Sequence, residues 1–314
     1  MLPLMLRTRL VTGAVLIAAL GLLVWGDSAV EGIPSAGAGA PPGWLLMTVS
    51  VLGLAPLLAI ELARLLRATG LAADTVVLVL SAMCGTLCAA WLVPGALEGD
   101  APFAQCLMVL AMIPLALLVV AAITHCTRAT TAVGGPNARA QTAAGAIGAA
   151  LLAYAWIGLG LGSWVALRRD TSAWALGGAI LTVKSADIGA YFTGMAIGRH
   201  KLIPWLSPGK TWEGLIGGCV ASAAVGFLLV GGCCPTPSAC AASTGLQGPT
   251  AALLGAGFGL VGTAGDLLES LLKRGASAKD SGTFLPGMGG FLDVFDSLLT
   301  TGPLAWIAIS LLRT

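Results

Sequence analysis

The sequence predicts an all-α fold, a polytopic transmembrane helical bundle of about nine spans, on three observations. Hydrophobic residues make up 57% of the 314-residue chain and charged residues only 10%, which is more apolar surface than a soluble domain of this size can bury. Apolar runs of about 18 or more residues recur, and this is the length of a membrane-spanning helix. Glycine is abundant, with 44 residues, as in closely packed membrane helices. Lipid is therefore expected to be part of the solvent.

The predicted spans follow one another as apolar runs separated by polar or glycine- and proline-containing connections. They lie near 10–26, 43–62, 71–95, 103–125, 143–167, 172–195, 214–232, 249–267 and 292–312. The first run follows Arg7 and Arg9 and so has the outline of a secretory signal peptide. Because eight further spans follow, we expect a retained first helix and a multi-pass integral membrane protein.

The distribution of lysine and arginine predicts how the spans are oriented. With the N-terminus in the cytoplasm, 12 of the 16 basic residues fall on cytoplasmic sides. Arg168, Arg169 and Arg313 then fall outside and Lys184 lies within a span, so the loop with Arg168 and Arg169 is the one awkward connection. The prediction places the N-terminus and two polar loops of a candidate site in the cytoplasm.

Charge divides the chain into two predicted parts. Residues 1–170 are N-terminal transmembrane helices whose polar residues lie mostly at the helix ends. Residues 171–314 contain intramembrane charge and the two cytoplasmic polar loops, and we expect this part to be the catalytic transmembrane region.

Composition also excludes several functional classes. The net charge is only +2, so no broad basic surface predicts nucleic acid as a partner. Two histidines are too few for a multi-histidine metal site, and the eight cysteines form no CxxC pair. Cys233, Cys234 and Cys240 share one predicted external loop, in which a disulfide and unpaired thiols are both open.

The first candidate site begins inside a predicted span. Lys184 and Asp187 are three residues apart, so a helix places them on one face, where they can pair. An ionisable residue in a membrane span is costly and is by default a functional hypothesis. A purely structural ion pair between helices is the alternative.

The loop that follows, SPGKTWEGLIGG, is typical of a phosphate site at the start of a helix. Ser207 and Thr211 offer hydroxyl groups, and Lys210 supplies a cation just before the helix. The spacing is not that of a Walker A loop. An ordinary capped helix, with Glu213 near the positive end of the helix dipole, is the alternative.

The second candidate site comprises two helix ends and the loop between them. Asp266, Glu269 and Lys273 recur at helical spacing and share a face, and Asp293 and Asp296 do the same at the start of the last span. Such hard oxygen ligands suit Mg²⁺ bound to a polyphosphate. Cations available for the remaining phosphate charge are Lys273, Arg274 and Lys279. A solvated interfacial loop with ordinary charges is the alternative.

The stretch SLLKRGASAKDSGTFLPGMGGFLDVFDS, residues 270–297, resembles the C-terminal signature of phosphatidate cytidylyltransferases, also called CDP-diacylglycerol synthases. ADIGAYFTG and HKLIPWLSPGKTWEGLIGG are similar to upstream motifs of that family. The resemblance covers residues 184–298 well and the N-terminal half only as hydrophobic spans. Two positions depart from the signature: Met288 stands where the family usually has histidine, and Val294 where it usually has arginine.

The resemblance implies transfer of a cytidylyl group from CTP to phosphatidic acid, giving CDP-diacylglycerol and pyrophosphate in phospholipid biosynthesis. It implies Mg²⁺ held by Asp266, Asp293 and Glu269, with a second cation left open. The remaining site residues form a catalytic and a substrate-binding group. The catalytic group is Lys273, Arg274, Lys279 and Asp280, and the substrate-binding group is Asp187, Ser207, Lys210, Thr211 and Glu213.

Other functions stay open at this point. The departures at Met288 and Val294 fit a catalytically inactive homologue as well as an adapted enzyme, and the acceptor can be another lipid phosphate. An ion-coupled transporter would use Lys184, Asp187 and the C-terminal carboxylates as an ion path, but most of these charges lie at span ends rather than near mid-span. The faces of small residues also permit a homodimer.

Overall fold

The structure is a computed structural model in which residues 4–31, 44–97, 136–231 and 244–312 are described. Within these ranges the helices are α1 (Leu4–Glu31), α2 (Trp44–Val49), α3 (Ala55–Ala68), α4 (Thr75–Leu97), α5 (Pro136–Leu152), α6 (Gly160–Asp170), α7 (Ala173–Ile197), α8 (Trp212–Gly231), α9 (Gly248–Gly275) and α10 (Leu292–Leu312). The predicted span at 103–125 and the loop with Cys233, Cys234 and Cys240 lie outside the described residues.

The all-α prediction is confirmed, with one small addition. Two π-helical turns, Ser50–Leu54 and Ala153–Leu159, continue α2 into α3 and α5 into α6. The addition is an antiparallel hairpin of β1 (Lys201–Ile203) and β2 (Ser207–Thr211), which connects α7 to α8. The polar loop predicted between these two helices is therefore an ordered hairpin.

Four helical stretches in the described part of the chain are long and apolar enough to cross a membrane. They are Thr142–Asp170, Trp212–Val230, Gly248–Gly275 and Leu292–Leu312. Val11–Asp27 and Thr75–Ala90 form shorter apolar helices. The chain is an integral membrane protein on this evidence, and the count of nine spans stays a prediction.

Close helix packing binds the last helix to the N-terminal half. A Cβ on Gly160 of α6 would lie 2.5 Å from the carbonyl oxygen of Leu299 in α10, so only glycine permits this approach. The indole N–H of Trp164 donates to the Leu298 carbonyl at 3.0 Å, and that of Trp156 to the Thr300 hydroxyl at 3.0 Å. These contacts fix the position of α10, whose first turn belongs to the candidate site.

The end of the bundle away from the candidate site contains a buried ion pair, called here the Arg168 pair. Nε of Arg168 lies 2.9 Å from Oδ2 of Asp27, and the two side chains are 3% and 2% exposed. The other carboxylate oxygen of Asp27 accepts the N–H groups of Leu45 and Leu46 at the start of α2. Arg169 donates to the carbonyl oxygen of Ala90. Both arginines of the connection that fits the predicted charge bias poorly are thus engaged within the protein.

Candidate active site

The hairpin brings Lys210 from β2 to the acidic face of α9. Its Nζ lies 2.9 Å from Oδ2 of Asp266 and 3.4 Å from the carbonyl oxygen of Thr263. The cation predicted for a phosphate-binding loop therefore contacts a carboxylate predicted for a metal. The two candidate sites of the sequence form one region.

Other hairpin residues shape the turn into α8. The Thr211 hydroxyl accepts the Gly214 N–H at 3.0 Å and caps the helix. Glu213 accepts the backbone N–H groups of Arg199 and His200, and its Oε1 lies 2.6 Å from Nδ1 of His200. Thr211 and Glu213 thus make the contacts expected of an ordinary capped helix, which is the alternative to a phosphate site. Ser207 is half-buried at the start of β2.

Three carboxyl groups and two ammonium groups form what we call the Asp266 cluster. The Asp266 and Asp296 carboxyl groups lie close to each other, Asp266 on α9 and Asp296 on α10. Lys184 lies 3.2 Å from Asp187, which confirms the pair predicted from their spacing. Lys210 completes the cluster through Asp266.

Lys184 also connects α7 to the first turns of α10. Its Nζ donates to the Ser297 hydroxyl at 2.8 Å and to the carbonyl oxygen of Val294 at 2.9 Å. The Ser297 hydroxyl in turn lies 3.2 Å from Oδ2 of Asp187. An ammonium group is therefore placed beside residue 294, where the signature usually has arginine and this chain has valine.

Two carboxylates and one ammonium group form the Lys273 cluster. Nζ of Lys273 lies 2.6 Å from Oε2 of Glu269 and 2.7 Å from Oδ1 of Asp293. Oδ2 of Asp293 accepts the Ser281 N–H, the Ser281 hydroxyl and the Gly290 N–H at 2.7 to 2.8 Å. Oε1 of Glu269 is buried and receives no hydrogen bond from the described residues.

The donor chemistry of the two clusters fits a divalent cation. Each cluster contains one more carboxyl group than ammonium groups; the Lys273 cluster is largely buried, whereas in the Asp266 cluster only Asp296 is buried and the other side chains are half-buried. Excess buried negative charge needs protons or a cation. The buried Oε1 of Glu269, which lacks a donor, is a free oxygen of the kind that Mg²⁺ binds.

The predicted metal set is divided between the clusters. Asp266 lies beside Asp296 in the first cluster. Glu269 lies beside Asp293 in the second cluster, where both contact Lys273. Among the described residues no group of three acidic, histidine or cysteine side chains is placed to hold one ion. The structure therefore presents two carboxylate pairs, not the single trio of Asp266, Glu269 and Asp293.

The remaining predicted residues lie toward the surface. Nε of Arg274 donates to the Leu206 carbonyl at 3.2 Å and ties the end of α9 to the hairpin. Lys279 and Asp280 are exposed in the loop after α9, outside both clusters. Met288 is half-buried in a tight turn, where its N–H donates to the carbonyl oxygen of Leu285 at 3.0 Å.

The sequence analysis missed Glu61 of α3, which belongs to the N-terminal helices and not to the predicted catalytic region. Its fully buried carboxylate accepts the N–H of Phe291 at 3.0 Å and that of Leu292 at 2.8 Å, at the start of α10. The Ser281 hydroxyl lies 3.3 Å from its Oε2. The only signal was an acid near the end of the predicted span 43–62, where polar residues are expected, so the signal was weak. Ser281 and Ser297 carried no such signal.

Comparison with known proteins gives a consistent result. The model of the cytidylyltransferase family matches residues 7–312. The phosphatidate cytidylyltransferase of Haemophilus influenzae is 39% identical over 123 residues, which cover 39% of this chain and 41% of that protein. The enzyme of the same name from Staphylococcus haemolyticus is 38% identical over 154 residues, covering 49% of this chain and 55% of that protein.

A third relative carries the same name. The phosphatidate cytidylyltransferase of Brucella suis is 46% identical over 125 residues, covering 40% of this chain and 43% of that protein. The chain thus spans about half the length, or less, of the curated relatives it matches. The family model, in contrast, covers nearly all of it, and it does so across both the N-terminal helices and the two clusters. The chain belongs to the cytidylyltransferase family.

Proposed function

We propose that the protein transfers a cytidylyl group from CTP to phosphatidic acid, giving CDP-diacylglycerol and pyrophosphate. The observation that carries this proposal is the pair of acid-rich clusters, one with two lysines and the other with one, at one end of an apolar bundle. A lipid phosphate and a water-soluble nucleotide can meet only at such a place. Membership of the cytidylyltransferase family and the names of the relatives support the same substrates.

The reaction needs charge neutralisation more than proton transfer. A phosphate oxygen of phosphatidic acid attacks the α-phosphorus of CTP, the bond from that phosphorus to the bridging oxygen breaks, and pyrophosphate leaves. Because the attacking phosphate is already ionised at neutral pH, positioning and electrostatics dominate. In this proposal Lys210 and Lys273, which contact Asp266 and Asp293, neutralise the triphosphate, and Arg274 holds the hairpin against α9.

Mg²⁺ is part of the proposal. Asp266 with Asp296, and Glu269 with Asp293, would hold it, and a second cation suits the presence of two pairs. When bound, the metal supplies positive charge to the phosphates and to the leaving pyrophosphate. The exposed Lys279 and Asp280 would act on the nucleotide from the loop surface.

We also propose a multi-pass topology with the clusters and the N-terminus in the cytoplasm, where CTP is found. The bias of basic residues supports this orientation, and the Arg168 pair removes the main exception to it. A homodimer in the membrane remains part of the proposal through its small-residue helix faces.

The test is an assay of the purified full chain in lipid nanodiscs with radiolabelled CTP, Mg²⁺ and phosphatidic acid. We expect labelled CDP-diacylglycerol and pyrophosphate in equal amounts. Parallel reactions replace phosphatidic acid with a polyprenyl phosphate or an ether-linked lipid phosphate. Product only with one of these changes the acceptor, whereas no product with any acceptor, beside an active relative, overturns the proposed enzyme.

A further inference from the structure

We propose that Glu61 is a positioning residue of the active site, which holds the loop at 281–292 so that Asp293 faces Lys273. The inference rests on the proposed function and deepens it, because it extends the catalytic unit from residues 171–314 to α3. Glu61 touches neither cluster's lysine, and its proposed action passes through the loop backbone and Ser281.

The surroundings of Glu61 indicate the role of its carboxylate. The side chain is 0% exposed, and no cationic side chain in the described part of the chain pairs with it. A buried carboxylate without a cation is costly unless several donors serve it. The donors here are the N–H groups of Phe291 and Leu292, at the positive end of α10. The hydrogen bonds that Glu61 accepts from the described residues thus come from the loop and the start of α10.

Two glycines of the loop lie directly against this carboxylate. A Cβ on Gly282 would lie 2.6 Å from Oε1 of Glu61, and one on Gly290 would lie 2.5 Å from Oε2. Real Cβ atoms do not approach oxygen so closely, so a larger residue at either position would have to displace the Glu61 carboxylate, and at position 290 also the Ser281 hydroxyl. Gly289 has φ of +97°, and its Cβ would meet Oδ2 of Asp293 at 2.5 Å. The loop is therefore fitted between two carboxylates, Glu61 and Asp293.

Ser281 is the link between these carboxylates. Its hydroxyl oxygen lies 2.7 Å from Oδ2 of Asp293 and 3.3 Å from Oε2 of Glu61, so the one hydroxyl group contacts both carboxylates. Asp293 also accepts the Gly290 N–H, next to the N–H of Phe291 that Glu61 accepts. Any displacement of Glu61 is thereby passed to Asp293 by two routes, one through Ser281 and one through the first turn of α10.

The experiment compares Glu61→Gln with a matched control, Asp27→Asn, in the full chain. Asp27 is also a buried carboxylate that accepts two backbone N–H groups at a helix start, but at the opposite end of the bundle. Hydrogen–deuterium exchange is measured without metal or nucleotide, and the Mg²⁺ concentration for half-maximal activity is measured separately. For Glu61→Gln we expect faster exchange at 281–292 and a rise of about tenfold in that concentration. Asp27→Asn should destabilise the whole bundle through the Arg168 pair, so we expect no rise in exchange confined to 281–292 and no change in that Mg²⁺ concentration.

A double variant tests the route through Ser281. If Glu61 acts through the hydroxyl, Ser281→Ala combined with Glu61→Gln raises the half-maximal Mg²⁺ concentration by less than the product of the two single effects. Wild-type exchange and wild-type Mg²⁺ dependence in Glu61→Gln, or equal changes in Asp27→Asn, would overturn the positioning role. Failure of the proposed function is a separate result: the wild type then makes no product, while the exchange data still decide the role of Glu61.

Discussion

The two ends of the bundle both bury charged side chains, but they balance them differently. In the Arg168 pair one carboxylate meets one guanidinium, and the second oxygen of Asp27 is satisfied by backbone N–H groups. The Asp266 and Lys273 clusters each have a carboxyl group in excess. The first end pairs one carboxylate with one cation, whereas each cluster at the second end needs a proton or a bound cation to balance its charge. The balance between buried carboxyl groups and cations therefore distinguishes the structural ion pair from the candidate functional site.

The largest effect on turnover is expected for Asp266→Asn. The change removes one carboxylate charge from the Asp266 cluster while keeping the size of the side chain, so kcat should fall by about 1000-fold. The assay is formation of labelled CDP-diacylglycerol, with folding checked by gel filtration in detergent. Asp74→Asn, at the cap of α4, is the control and should keep wild-type turnover. Full activity of Asp266→Asn would remove this residue from the metal site.

A large effect on stability, not on turnover, is expected for Asp27→Asn. Removing one partner of a buried pair leaves Arg168 charged and uncompensated, which should lower the free energy of unfolding by about 3 to 5 kcal/mol. Denaturant unfolding in detergent measures the loss. Below the unfolding temperature, kcat should be unchanged. A fall in kcat of the folded variant would show that the opposite end takes part in catalysis and would break the comparison.

A moderate effect is expected for Lys210→Met. The variant removes the ammonium group that the hairpin brings to Asp266, and KM for CTP should rise about tenfold because a charged contact to phosphate is worth roughly 1.4 kcal/mol or more. Lys201→Met is the matched control, since Lys201 is exposed on the partner strand of the same hairpin. Equal changes in the two variants would mean that general surface charge, not the contact with Asp266, attracts the nucleotide.

The smallest effect is expected for Met288→His, which restores the residue usual in the signature. Since the phosphate nucleophile needs no general base, kcat/KM should change by less than about threefold. Initial rates over a range of CTP concentrations measure it. A large gain would show that methionine impairs this chain, and a large loss would show that its site has adapted to methionine.

The sequence predicted what depends on local spacing. The helices followed from apolar runs, and the contact of Lys184 with Asp187 followed from a separation of three residues. Spacing shows which residues share a helix face, but not which residue of another helix they meet. The pairing of Asp266 with Asp296, and of Glu269 with Asp293, therefore required the packed structure.

Residues outside the predicted site show the same limit. Arg168 and Arg169 counted as exposed charges in the orientation rule, yet they bind Asp27 and the Ala90 carbonyl inside the protein. Glu61 is separated from its loop by more than 200 positions, and no local pattern connects them. The division of the chain into two parts at residue 170 rests on the distribution of charge along the sequence, and it remains a prediction.

The contact of Glu61 with the loop also orders events during synthesis. Ser281 follows Glu61 by 220 residues, so closing this contact is a late and entropically costly step. Until the start of α10 has been made, α3 holds a carboxylate without its backbone donors. A chain that stops early is left with that unsatisfied charge in its apolar interior, and such a molecule is a natural target for proteolysis.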